Sequence, residues 1–337
     1  MNTLNLATEC PKWEAPPTRL STVGKIEGTQ LASALPLLSN LRPRTIVVPF
    51  DFSNVSTALL GRLIALAETS EMTVHVLHAV EPSVGVVANG HTPIYPGARA
   101  AAARMQIEQW VAQTFPGQVS ITTTVRVGRA ADEIVAHAQA LSADLIVMSA
   151  HVGSAEKNVL LRTTTERVVR QSPCPVLVVA RDQVQEFLSV PEQFPLRSWK
   201  RILLPLELSG KDREALAYAA AIARENGAKL HILHRVDGHK AESNKDVPTV
   251  EERVAAWLGS GPGRPVEYET TVWSNVPLLN AILQEVKLSK IDLIVLPARD
   301  CAWFRRHRLW SITNGILRHA PCPILSVNAT VKPVGLR

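Results

Sequence analysis

The sequence has no apolar run near the roughly 18 residues that a membrane-spanning helix needs. Its first residues, MNTLNLATECPKWE, show neither the basic start nor the apolar stretch of a secretory signal. Both absences point away from a membrane and make the cytoplasm the expected location. Cysteine is scarce: Cys10, Cys174, Cys301 and Cys322 form no C-x-x-C pair and have no paired histidine nearby. That argues against a zinc site or a disulfide framework and for reduced thiols. Catalytic signatures are missing too, with no G-x-S-x-G elbow, no H-E-x-x-H and no Walker loop, so no enzyme activity is expected.

What is present is written twice. TIVVPFDFS, from Thr45 to Ser53, returns as RILLPLELS from Arg201 to Ser209, and Pro49 and Pro205 stand 156 positions apart. His75 and His231, inside TVHVLHAV and LHILHRV, keep the same offset. DLIVMSA with SPCPVLVVA is matched by DLIVLPA with APCPILSVN, where Cys174 and Cys322 differ by 148 because the middle of the second copy is shorter. A chain of 337 residues, 46% hydrophobic and 20% charged, is long enough for two such domains with real cores. Its net charge of +6 is compatible with phosphate or polyanion partners but equally with an ordinary soluble surface.

In each copy a short continuous apolar run, Ile46 to Val48 in the first, reads as a strand buried on both faces. A helical stripe follows at Leu60, Leu63, Ile64 and Ala67, repeated at Leu216, Ala219, Ala220 and Ala223 with a stop at Asn226-Gly227. Ile134, Val135, Ala138 and Leu141 predict a helix before the strand Leu145 to Met148; Leu279, Ile282, Leu283 and Val286 do the same before Leu293 to Leu296. A last helix from Thr163 breaks at Ser172-Pro173 before Val176 to Val179, copied by Ser311 to His319 and Ile324 to Val327. Alternating strands and helices require right-handed crossovers and a parallel sheet covered on both faces. A ligand then belongs beyond the C-terminal strand ends, where the winding reverses. The domains read as 44–181 and 199–328, with a linker at 182–198 and a tail at 329–337. Residues 1–43 read as an extension with at most one small helix, over Leu31 to Leu41.

VVPFDFS, VHVLHAVE, ADLIVMSAH and TTTERVVRQSPCPVLVV, with LLPLELS, LHILHRVD, IDLIVLPAR and APCPILSV, resemble the universal stress protein family over about four fifths of the chain. The resemblance implies two Rossmann-like α/β domains in tandem, each a doubly wound five-stranded parallel sheet of strand order 3-2-1-4-5. It also implies pairing through the last strand and ATP binding in some members. Those members place G-x-x-G, nine residues, then G-[S/T] after the fourth strand, so that backbone amides and a helix N-terminus hold phosphates. Here the glycine positions fall on Ser149, Val152 and Arg162, and on Pro297, Asp300 and Trp310; only the hydroxyl position survives, as Thr163 and Ser311. Val152 resists positive φ, Trp310 fills the space and Asp300 repels phosphate. Gly153, one residue late, leaves a shifted loop open in the first copy. If ATP binds there, the site implied by the resemblance comprises Pro49, Asp51, Ser53, His151, Gly153, Thr163 and Thr164. No metal site and no firm cofactor follow.

Each of these residues also has a plainer reading. Asp51, and Glu207 in the second copy, suit a helix N-terminus, where the macrodipole favours an acid. Thr163 and Glu166 make a capping box that uses the same amides as a phosphate would. His75 and His231 sit mid-strand as packing residues, while His78 and His234, nearer the strand ends, are placed to line a cleft. Cys174 and Cys322 have no activating base. Ser209-Gly210-Lys211-Asp212 has too few glycines for a pyrophosphatase loop, and HVGS at His151 lacks a second histidine for nucleotidyl transfer. Trp303 to Trp310, WFRRHRLW, is the one dense basic and aromatic cluster; a single short cluster is weak evidence for nucleic acid, and polyanion binding through it stands as a lesser alternative. The apolar last strands, VLVV and ILSV, need covering, and the simplest cover is each other, antiparallel, within one chain. A homodimer and an unknown protein partner are left open. The function expected is binding, with an ATP switch in the first repeat as the alternative.

Overall fold

A strand that must be buried on both faces is apolar at every position, and the three residues Ile46, Val47 and Val48 are all fully buried in the computed structural model of the protein. The structure describes residues 18–26, 43–67, 71–82, 86–87, 90–91, 96–115, 121–150, 164–180, 199–207, 212–236, 250–258, 266–298 and 310–328. A strand, β1 (Thr18–Ile26), precedes the first repeat. That repeat comprises β2 (Thr45–Pro49), α1 (Asn54–Ala67), β3 (Thr73–Val80), a small hairpin of β4 (Val86–Val87) and β5 (Gly90–His91), α2 (Pro96–Thr114), β6 (Ile121–Val127), α3 (Ala130–Ala140), β7 (Leu145–Ala150), α4 (Thr164–Gln171) and β8 (Val176–Ala180). The second comprises β9 (Arg201–Leu206), α5 (Arg213–Asn226), β10 (Lys229–Val236), α6 (Val250–Leu258), β11 (Val266–Ser274), α7 (Leu278–Leu288), β12 (Leu293–Ala298), α8 (Trp310–His319) and β13 (Ile324–Asn328).

The strands form one eleven-stranded sheet in the order β1-β11-β10-β9-β12-β13-β8-β7-β2-β3-β6. Within each repeat the ladders are parallel, and the order is the expected 3-2-1-4-5. The repeats meet antiparallel through β8 and β13, with Leu177 opposite Leu325, flanked by Val176–Ser326 and Val178–Ile324. Leu177 and Leu325 are repeat equivalents 148 positions apart, so the pseudo-two-fold axis passes through a residue paired with its own copy. Alternation across the pleat sends Ile46 and Val48 to the face covered by α1, α2, α5 and α6, and Val47 to the face covered by α3, α4, α7 and α8. Both cores run without a break through β8 and β13 into the other repeat. The described residues of the two repeats therefore form one packed body.

Local chemistry repeats with the framework. Asp144 accepts the backbone N–H groups of Arg44 and Thr45 at 2.9 Å each, and Asp292 accepts those of Lys200 and Arg201 at 2.7 and 3.0 Å. Ser142 and Lys290, just past the ends of α3 and α7, share the left-handed conformation at φ of 47° and 48°. Cys174 and Cys322 are buried free thiols, and burial pushes each up to about 12.

The N-terminal extension departs from expectation. The sequence reading allows only one small helix there, over a stretch that lies outside the described residues, whereas Thr18–Ile26 is a strand paired along its whole length with β11. Its period hides it: Leu20 and Val23 are 66% and 74% exposed, so β1 is held by its ladder and by polar side-chain contacts such as that of Arg19 rather than by burial.

Candidate functional site

The winding of the first repeat reverses between β2 and β7, and the crevice beyond them is shaped by the loop after Pro49. Phe52 turns this loop with a φ of 63°, which costs a residue of its size about 1–3 kcal/mol. It is held there by ring contacts at 4.9 Å with Phe50 and 4.9 Å with His78, while Phe50 stacks on Trp110 at 5.7 Å. His78 is fixed in turn. Its Nδ1 lies 2.7 Å from the Phe50 carbonyl, which can only accept, so this nitrogen donates. His234 repeats the bond on Leu206 at 2.9 Å, and burial pushes its pKa below the ordinary value.

Asp51 turns back on its own helix. One carboxylate oxygen accepts the Ser53 N–H at 3.0 Å and the buried Ser56 hydroxyl at 2.6 Å, while Ser53 Oγ accepts the Ser56 N–H at 3.1 Å. Ser53 is thus the N-cap of α1, and Asp51 takes the helix-terminal role that the macrodipole favours. The start of α3 is closed in a similar way: Glu81 accepts the Ala130 N–H at 3.1 Å, and a side chain at Gly128 would collide with the Glu133 carboxylate. In the second repeat Glu207 keeps the place of Asp51 and a second acid is added. Asp212, the counterpart of Ser56, is fully buried and accepts the Glu207 N–H at 3.1 Å.

Pro49, Asp51 and Ser53 are therefore together at the end of β2. Thr164, exposed, opens α4, and Glu166 is buried on it. His151, Gly153 and Thr163 lie outside the described residues, as do Val152, Arg162, Asp300 and the cluster 303–309, and Trp310 is described only in its backbone. The same holds for residues 182–198 and 329–337. His75 and His231 are mid-strand as expected, and burial pushes the pKa of each below the ordinary histidine value. Among the described residues no group of three or more His, Cys, Asp or Glu is placed to hold a metal ion, and no helix is long and apolar enough to cross a membrane.

One cluster escapes the sequence reading. Glu285 on α7, fully buried, accepts two hydrogen bonds from the Arg19 guanidinium at 2.9 and 3.0 Å, one from the Trp273 indole at 3.0 Å and one from the Ser289 hydroxyl at 2.5 Å. Burial alone would raise its pKa, but these donors and the Arg19 charge outweigh it and hold the carboxyl below its usual range. Glu269 on β11 joins from the side, 2.7 Å from Lys229, 3.7 Å from Arg19 and 3.8 Å from His231. A signal was available: Glu285 stands between Ile282 and Val286 on the apolar stripe of a predicted helix, a place where an acid needs a partner. Its partner is 266 positions away and has no motif.

The family model for universal stress proteins matches residues 43–180 and again 198–328. The chain belongs to the universal stress protein family. A universal stress protein of Methanocaldococcus jannaschii is 30% identical over 140 residues, covering 41% of this chain and 82% of that protein. Among solved structures, a universal stress protein from Archaeoglobus fulgidus DSM 4304 is similar over 86% of this chain and 98% of its own, with a TM-score of 0.61 at 18% identity. A functionally unknown protein from Pseudomonas aeruginosa PAO1 covers 86% and 94%, with a TM-score of 0.50 at 15% identity. At these identities the structural likeness speaks to fold alone, while the doubled family match makes this a tandem universal stress protein and supports a role in stress response.

Proposed function

We propose that this universal stress protein acts in the cytoplasm by binding, to a protein partner or to a small ligand in the crevice of a repeat, and not by catalytic turnover. Its working parts are then the domains 44–181 and 199–328. The observation that carries the reading is the occupancy of the first-repeat helix termini by the protein's own acids: Asp51 on the amide of Ser53 before α1, and Glu81 on the amide of Ala130 at α3. A phosphate would have to displace these acids to use either terminus, and at the entrance to the family's own cradle, on the way to α4, Ser149 at the end of β7 stands in a glycine position.

A second reading, ATP bound in the first repeat by Pro49, Asp51, Ser53, His151, Gly153, Thr163 and Thr164, is favoured by the exposed hydroxyl residue Thr164 in the first turn of α4. Two measurements separate the readings: assay of the purified, denatured protein for released adenine nucleotide, and titration of ATP with magnesium while thermal unfolding is followed. The binding reading expects no nucleotide and no response. Stabilisation approaching about 2.7 kcal/mol at a hundredfold excess over Kd would replace it with the ATP switch.

A further inference from the structure

The two outer edges of the sheet are copies of one place in the fold, and among the described residues only one is filled. At the second repeat β1 lies antiparallel on β11, with Arg19 opposite Trp273 and its guanidinium on Glu285. The counterpart of Glu285 is His137: α3 and α7 carry buried Ile134 and Ile282, then Ala138 and Val286, and end in the matched left-handed residues Ser142 and Lys290. The counterpart of Trp273 is Arg126, because Leu77 faces Thr124 in the first repeat as Leu233 faces Thr271 in the second. Among the described residues β6 pairs with β3 alone, and Thr122, Arg126 and Val127 are exposed along it.

We propose that β6 is a docking edge for an extended segment of a partner protein that carries a carboxylate where β1 carries Arg19. The backbone of such a segment completes the ladder of β6, as strand addition does at other open edges. Its acid meets bases where Arg19 meets acids. His137 is only 6% exposed, and among the described residues neither of its ring nitrogens has a hydrogen-bond partner. The His75 ring stands 6.3 Å from it, with its own Nδ1 unpartnered. Burial opposes protonation of His137 first, and the nearby charge of Arg126 adds to it. A carboxylate relieves both, taking a charge-assisted hydrogen bond from the imidazole and neutralising the guanidinium. The protein's own N-terminal strand is the wrong occupant, since it would bring Arg19 against Arg126, so a second copy cannot cap this edge through β1.

The probes are two labelled nine-residue peptides of residues 18–26, one native and one with Arg19→Glu, titrated against the full-length protein by fluorescence anisotropy. In that protein the β11 edge is already covered by its own β1. The proposal expects saturable binding of the Arg19→Glu peptide, at least about tenfold tighter than the native peptide. It also expects new hydrogen-exchange protection over 121–127. Arg126→Glu, an exposed change checked for an unaltered melting temperature, and His137→Ala should each weaken that binding by about tenfold. Absence of saturable binding, equal binding of the two peptides, or protection falling on β11 instead of β6 would overturn it.

Discussion

Replacing Arg19 by methionine keeps most of the aliphatic stem and removes the charge that faces Glu285. The Glu285 side chain has 0% exposure and would keep only the Trp273 and Ser289 donors. Stripping one partner from a buried ion pair costs about 3–5 kcal/mol. Two neutral donors survive and Arg19 is itself 30% exposed, so water can reach the wound. The expected loss is therefore about 2–3 kcal/mol. Urea unfolding of Arg19→Met, Glu285→Gln and the double variant closes a double-mutant cycle. The double variant should recover most of the loss, because removing both charges leaves none buried and alone. The pH dependence has a definite sign. The folded pKa of Glu285 is depressed, so its contribution is fully present above the unfolded carboxyl value near 4.3 and is lost as pH falls through the folded value. The gap between the wild type and Arg19→Met should shrink below about pH 4. A single variant within about 0.5 kcal/mol of wild type, strictly additive losses, or a gap indifferent to acid would refute the reasoning.

The remaining expectations are shorter. Leu177→Ala and Leu325→Ala, made separately at 0% and 1% exposure on the pseudo-two-fold axis, should each cost about 2–5 kcal/mol in denaturant unfolding. A wild-type midpoint for either would mean that the repeats are not joined there. Iodoacetamide applied to the native protein should leave Cys174 and Cys322 unmodified, because burial has pushed both thiols up to about 12, and should modify both after unfolding. Peptide mass mapping that finds either one alkylated within minutes in the folded state would contradict this.

The legible part of the fold was the part written by burial. Ile46 to Val48 and Leu177 are buried on both faces of a parallel sheet, so their runs are continuous and their repetition obvious. The pairing of β8 with β13 followed from the cost of leaving two such runs at an edge. Asp51 was legible as a helix-terminal acid because its chemistry is local, ending on Ser53 and Ser56 within five residues. β1 was not legible, since TRLSTVGKI leaves Leu20 and Val23 in solvent and gains its order from a ladder that any sequence can form. Nor was the change of sign between His137 and Glu285. Each residue alone reads as an oddity on an apolar stripe, and only superposed repeats show them in the same place.

That change of sign depends on the duplication being covalent. A homodimer built about the axis through β8 would present the same residue at both outer edges, so an acid that suits an arginine strand on one side would demand it on the other. One chain has only one N-terminus and can supply only one β1. With the repeats fused, Glu285 could settle as the anion that anchors Arg19 while its counterpart became His137 beside Arg126, where an arginine strand is repelled. On the proposal made above, the fused chain holds two strand edges of opposite preference on one sheet, one satisfied from within and one, among the described residues, left open, an asymmetry that no symmetric pair of single domains can reach.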